Sequence, residues 1–236
     1  MIFIGYSSED RYTVVEPLLF HLRNYGFKVW YDFDNMYLGD SRKQENFEKG
    51  IKGANYLIFI ITHGFFESSC AKEELEYAHQ LVEQCGYIMF TVFYKFLPQE
   101  LPSRYDWLRN YIFNEIAMDT GTRYAADQIV ERIVKDSLSV KRIQSIDDLV
   151  YENFDEYTRS LIKELKIIDI RNYGLRVGLL YAIYIYLRKS STHMADCEKA
   201  IAYIVKQSQF QLRNSHLLYS IFEKSILLFV NHLLDD

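Results

Sequence analysis

The sequence predicts an α/β protein: a domain with a five-stranded parallel sheet over residues 1–138, followed by a smaller all-helical domain over residues 139–236. Three observations predict it. Four short runs rich in Ile, Val, Phe and Tyr show little polar alternation, as strands buried on both faces do. Between them stand segments with apolar residues at helical spacing, so strand and helix alternate. After Leu138 the alternation stops and only helical patterns remain.

Taken in order, residues 2–5 give the first strand. Val15, Leu18, Leu19 and Leu22 give a helix that either starts near Glu16 with Pro17 at the first helical position, the preferred reading, or is kinked at Pro17. Residues 27–31 form the second strand, and Phe47, Ile51 and Ala54 mark the next helix. Residues 56–62 form the third strand, followed by a helix carrying Ala71, Leu75, Ala78 and Val82. Residues 87–94 are the fourth strand, and residues 114–118 a weaker fifth before a helix over 123–138. Right-handed crossovers then place helices on both faces of one parallel sheet.

A polar stretch, residues 139–145, predicts the domain boundary. Beyond it, residues 146–166, 168–188, 194–206 and 211–234 read as helices. Residues 179–186 are apolar nearly all round, which predicts burial in a bundle or self-association.

Bulk properties narrow the function. A net charge of −5 without a run of Lys or Arg removes the electrostatic drive for nucleic-acid binding. Cys70, Cys85 and Cys197 form no CxxC pair, and the six histidines show no metal-ligand spacing, so a reducing cytoplasm and no metal are expected. Residues 1–4 already read as a strand, which predicts no leader peptide. The longest apolar stretch identified, residues 177–187, falls short of the roughly 20 residues of a membrane span, so no membrane insertion is expected.

In an open parallel sheet, ligands bind beyond the carboxyl ends of the strands. That selects residues 5–10, 32–41, 63–69 and 95–107. Ser7, Ser8 and Asp10 suit either a helix cap or a cradle for ribose and phosphate. Asp40 and Ser41 stay open between loop structure and binding, and Phe65 and Phe66 between packing and stacking. At about 100° per residue, Glu74 lies only about 70° from the centre of the stripe Ala71, Leu75, Ala78, Val82, while Glu73 and Glu76 fall much further round. Glu74 can therefore border the core and still face the cleft.

Three motifs occur in order on these elements: FIGYSSED, VWYDFDNMYLGDS and SSCAKEELEYA. The first resembles the opening box of TIR domains, and the second their second strand with its long following loop. The third is similar to the family's S-x-W-x-x-x-E-L helix start. The resemblance covers residues 1 to about 138 and implies a flavodoxin-like fold and cleavage of the nicotinamide–ribose bond of NAD, bound as substrate rather than as cofactor. It assigns catalysis to Glu74, and NAD contacts to Tyr6, Ser7, Ser8, Asp10, Asp32, Gly39, Ser41, Phe65 and Cys70. Cys70 stands where many members carry Trp, leaving Phe65, Phe66, Tyr6 or Trp107 to supply an aromatic platform. The family also implies self-association, a role in bacterial antiphage signalling, and a downstream effector if the product is a cyclic ADP-ribose. Two other readings stay open: a non-catalytic adaptor working through residues 32–41, and a nucleoside deoxyribosyltransferase-like enzyme, which shares the general fold and a glutamate.

Overall fold

The computed structural model describes residues 1–116, 121–189, 197–206 and 215–235. Its five strands are β1 (Ile2–Gly5), β2 (Val29–Trp30), β3 (Tyr56–Ile61), β4 (Ile88–Tyr94) and β5 (Asn114–Ile116). They form one sheet in the order β2-β1-β3-β4-β5, with every neighbouring pair parallel. Ile4 of β1 lies opposite Ile58 of β3, and Ile58 opposite Phe90 of β4. The apolar runs read as strands because helices cover both faces: all of β1, and β3 after Tyr56, are buried. Residues 117 and 118, the expected end of the fifth strand, lie outside the described residues.

The helices of this half are α1 (Glu16–Asn24), α2 (Asp32–Asn35), a π-helix Lys43–Ile51, α3 (His63–Glu67), α4 (Ser69–Cys85) and the start of α5 (Gly121–Ser139). Phe3, Leu57, Phe59, Ile61, Leu75, Ala78 and Phe93 meet in one core cluster. Helix α4 is delimited at both ends. The Ser68 hydroxyl accepts the Ala71 N–H, and Gly86 ends the helix with φ +71° while donating its N–H to Val82.

The α-helix does start at Glu16, with Pro17 as its second residue, but it is not a free start. The chain is already helical from Ser8, and a π-type turn, Arg11–Val15, runs directly into α1. The Glu16 N–H bonds to the Arg11 carbonyl, five residues back. Proline has no N–H to offer and its ring crowds the carbonyl four residues before it, and a widened turn at that place accommodates both.

The chain divides into two compact units, residues 1–23 with 27–126, and residues 24–26 with 127–236. The division falls inside α5, ahead of the polar stretch 139–145. That stretch is itself tied down: Ile143 is fully buried, its N–H donates to Asn231 Oδ1 and its carbonyl accepts from Asn231 Nδ2.

The second unit holds α6 (Glu156–Ile167), α7 (Tyr173–Arg188), α8 (Cys197–Lys206) and α9 (Ser215–Asp235). The helix expected over 146–166 starts only at Glu156, because the Asp155 carboxylate caps the N–H groups of Tyr157 and Thr158. The one expected over 168–188 starts at Tyr173, capped by Asn172. Residues 194–196 and 211–214 of the last two expected helices lie outside the described residues. Residues 177–187 are not the most membrane-like segment. His216–Asp235 is long and apolar enough to cross a bilayer by length and composition, with mean hydropathy 1.4. It packs as a core helix instead, 61% of it buried, with Phe222, Ile226 and Phe229 fully enclosed.

Candidate active site

The strand order reverses between β1 and β3, and at such a point the flanking loops part and leave a crevice at the carboxyl end of the sheet. A cavity of about 310 Å³ occupies this end. Ile4 and Tyr6 reach it from the end of β1, Asp32 from the turn after β2, and Ser68, Cys70, Ala71 and Glu74 from the start of α4. Met36, Arg42 and Asn46 complete it with Ser8.

Glu74 is 8% exposed, more deeply set than the periodicity predicts. The buried face of α4 comprises Ala71, Glu74, Leu75, Ala78 and Leu81, so the stripe is rotated toward Glu74, and Val82 drops to its margin. A carboxylate at such depth must be hydrogen-bonded or neutralised. Asn46 Nδ2 donates to Glu74 Oε1 at 2.5 Å, and Arg42 Nη2 donates to the same oxygen at 3.3 Å. The orientation of the Asn46 amide is fixed from behind, since its Oδ1 accepts the Trp30 indole N–H at 3.2 Å. Gly50 makes room for that indole: a Cβ there would lie 2.6 Å from Trp30 Nε1. Arg42 is anchored by Glu73 at 2.7 Å and by the Cys70 carbonyl at 2.9 Å.

Burial dominates the ionisation of Glu74 and raises its pKa to about 7; Arg42 and Asn46 pull it down, and nearby Asp32 pushes it up. Asp32 is occupied in turn. Its Oδ1 accepts the Tyr6 hydroxyl at 2.5 Å and the Phe33 N–H at 2.8 Å. Burial and that bond to Asp32 push the Tyr6 pKa well up, so the phenol stays a hydrogen-bond donor. Among the described residues, no group of three or more His, Cys, Asp or Glu is placed to hold a metal ion.

Of the residues singled out in the sequence, Tyr6, Ser8, Asp32, Cys70 and Glu74 meet in the cavity, and the others do not. Ser7 is buried behind it, with its Oγ 3.3 Å from where a Cβ on Gly64 would stand. Asp10 accepts the Thr62 hydroxyl at 2.6 Å and so ties the first loop to the end of β3. Gly39 and Ser41 are exposed; Gly39 turns the loop with φ +101°, and the Ser41 hydroxyl accepts the Gln44 N–H. Asp40 closes the same turn by accepting the Tyr37 N–H at 2.7 Å.

Phe65 is fully buried, edge-on to Phe59 and Phe66, because the first turn of α3 points it into the core. Phe66 packs on Phe96 and Tyr105, and Trp107 stacks on His79 at 3.6 Å. Of the four aromatic candidates, Tyr6 alone lines the cavity. Sequence reasoning missed Trp30, Arg42 and Asn46. Arg42 directly follows the Ser41 that was noted, whereas Asn46 carries no signal, since an apolar count passes over a polar residue beside Phe47.

Residues 2–116 match the family described as TIR domain. A 137-residue stretch is 28% identical to the NAD(+) hydrolase TcpC of Escherichia coli O6:H1, covering 56% of this chain and 42% of that protein. Over 73 residues the chain is 40% identical to the 2' cyclic ADP-D-ribose synthase BtTIR of Bacteroides thetaiotaomicron, covering 31% and 25% of the two. Over 141 residues it is 27% identical to the NAD(+) hydrolase PdTIR of Paracoccus denitrificans, covering 60% and 44%. The chain spans less than half the length of each of these relatives. The family match runs from β1 through β5 and takes in every residue that lines the cavity. The chain belongs to the TIR-domain proteins, with its TIR domain at residues 2–116.

Proposed function

We propose that this chain cleaves the bond between nicotinamide and ribose in NAD, with Glu74 as the group that meets the developing positive charge. The observation that carries the reading is a buried carboxylate, held by Asn46 and Arg42, in the crevice where the strand order reverses. The relatives named as NAD hydrolases and cyclic ADP-ribose synthases supply the substrate.

The chemistry suits one carboxylate. Ordinary glycosides need a second carboxyl group to protonate a poor leaving group. In NAD the leaving group is a pyridinium: the C1'–N bond breaks, its electron pair goes to the ring nitrogen, and neutral nicotinamide departs. What remains is an oxocarbenium-like ribose, which an ionised Glu74 stabilises electrostatically. The cationic pyridinium of the bound substrate favours the ionised carboxylate further. Tyr6, held as a donor by Asp32, faces the same space. An oxygen nucleophile then attacks C1' and loses its proton. Water gives ADP-ribose, and a hydroxyl of the same molecule gives a cyclic product able to act on a downstream effector. The setting we assign is bacterial antiphage signalling by a self-associating cytoplasmic protein, on the family likeness.

Phe33, Tyr37 and Leu38 favour a second role. They are 58%, 76% and 108% exposed on the segment after β2, as a surface that joins protein partners would be. Incubating the concentrated full chain with NAD and separating the products tests the two readings. Cleavage yields free nicotinamide with ADP-ribose or a cyclic isomer. A pure adaptor leaves NAD intact.

A further inference from the structure

The cavity at Glu74 is large enough for one end of a dinucleotide, and the other end needs its own place. A second cavity, of about 360 Å³, is lined by Arg42, Lys43, Phe47, Glu48, Glu73 and Tyr77. The two cavities share Arg42 as a lining residue. Resting on the reading of NAD as substrate, we propose that this second cavity binds the adenosine diphosphate end, with the adenine against Phe47 and Tyr77 and the diphosphate at Arg42.

Charge carries the first part of the argument. Among the described residues, Arg42 is the single cationic side chain lining the Glu74 cavity, which the carboxylates of Glu74 and Asp32 also line. A bound pyridinium takes over the neutralisation of Glu74 and leaves Arg42 without that partner. The same substrate brings a diphosphate, the anion a guanidinium binds best. Substrate binding is thus an exchange of ion pairs that leaves no buried charge alone. Arg42 can make it while keeping its bond to the Cys70 carbonyl: its side chain is 34% exposed and its other carboxylate partner, Glu73, is 62% exposed, and such pairs are weak.

Shape carries the second part. Phe47 and Tyr77 sit edge to face, with ring centroids 5.2 Å apart, and the Arg42 guanidinium lies 5.2 Å from the Phe47 ring. The guanidinium lies over the Phe47 ring, so a nucleobase packed on this wall displaces or adjoins it and keeps its phosphates within reach of the cation. The carboxylates of Glu48 and Glu73, which also line the cavity, can accept hydrogen bonds from the exocyclic amine of adenine.

The test uses the full chain and three variants, Phe47→Leu, Tyr77→Leu and Arg42→Gln, with thermal unfolding to check folding. ADP-ribose binding is measured by calorimetric titration. Nicotinamide release is measured from NAD and from nicotinamide mononucleotide, which lacks the adenosine end. The expected result is an ADP-ribose Kd about tenfold higher in each variant, and a ratio of kcat/KM for NAD to that for the mononucleotide about tenfold lower in the two leucine variants. Unchanged Kd values and an unchanged ratio overturn the proposal. A parent that binds ADP-ribose in this Phe47-dependent way but releases no nicotinamide supports the subsite while refuting NAD cleavage. A parent that cleaves NAD while its variants bind ADP-ribose like the parent does the reverse.

Discussion

Glu74 has a property that its position in the sequence does not announce: it titrates near neutrality. Burial raises its folded pKa from 4.5 to about 7. Between those values the folded state keeps a proton that the unfolded state has lost, so stability falls as pH rises through that window. Above it the full cost of ionised Glu74 is about 3 kcal/mol. Glu74→Gln carries no such cost, so its melting temperature should exceed the parent's at pH 8 by several degrees, with the gap closing by pH 4.5. On the proposed mechanism activity runs the other way, because it needs the carboxylate. The pH profile of kcat/KM, which reports the free enzyme, should rise through a limb near pH 7. Arg42→Gln and Asn46→Leu each remove a group that favours the anion, so each should move the limb to higher pH. A limb that stays near the ordinary carboxylate range in all three proteins would contradict this assignment.

Legibility at this scale was uneven. The place of Glu74 in the cavity was legible because helical periodicity and the family motif select the same residue. That of Asn46 was not, because an indole from a neighbouring strand orients its amide, and that is a tertiary fact.

Among the elements, the π-helix Lys43–Ile51 does most to shape the site. It supplies Asn46 and Gly50, and Arg42 immediately precedes it. In the sequence, Phe47, Ile51 and Ala54 read as an ordinary amphipathic helix, since one wider turn hardly disturbs an apolar stripe. The wide register appears only in its bonds, such as the Lys52 N–H to the Phe47 carbonyl. Gly50→Ala tests the element. The added Cβ would meet the Trp30 indole at 2.6 Å, so the indole must move from Asn46. The expected cost is about 1–3 kcal/mol in chemical denaturation, together with a several-fold loss of turnover. A variant as stable and active as the parent would show that Trp30 does not hold Asn46 in place. The strands were legible to within a few residues because their burial on both faces leaves a continuous apolar signature. The helix starts at Glu156 and Tyr173 were not, because single caps, Asp155 and Asn172, set them inside longer apolar patterns.

For the whole molecule, composition suggests a flexible joint at residues 139–145, but the bonds of Asn231 to Ile143 make that stretch a poor protease site. Limited proteolysis should begin instead in the exposed segment 37–41. First cuts within 139–145 would restore the joint that composition suggests. In the second unit, Leu175, Ile185 and Tyr186 of α7 are 52%, 41% and 37% exposed. If this apolar face drives self-association, Ile185→Asp should lower the sedimentation mass of the full chain; a parent that is already monomeric at high concentration would rule that out.

The central claim is that one buried carboxylate in this fold cleaves NAD. It is tested most directly by nicotinamide release from the parent and from Glu74→Gln and Glu76→Gln at equal concentration. Glu74→Gln should lose about 10²–10³ in rate, the usual cost of removing a charge that stabilises a transition state. Glu76, bonded to the Tyr105 hydroxyl and Arg104, stands outside the lining of both cavities. Its variant should stay within a few-fold of the parent. Undiminished release by Glu74→Gln, or none from the parent even when concentrated, would contradict the account.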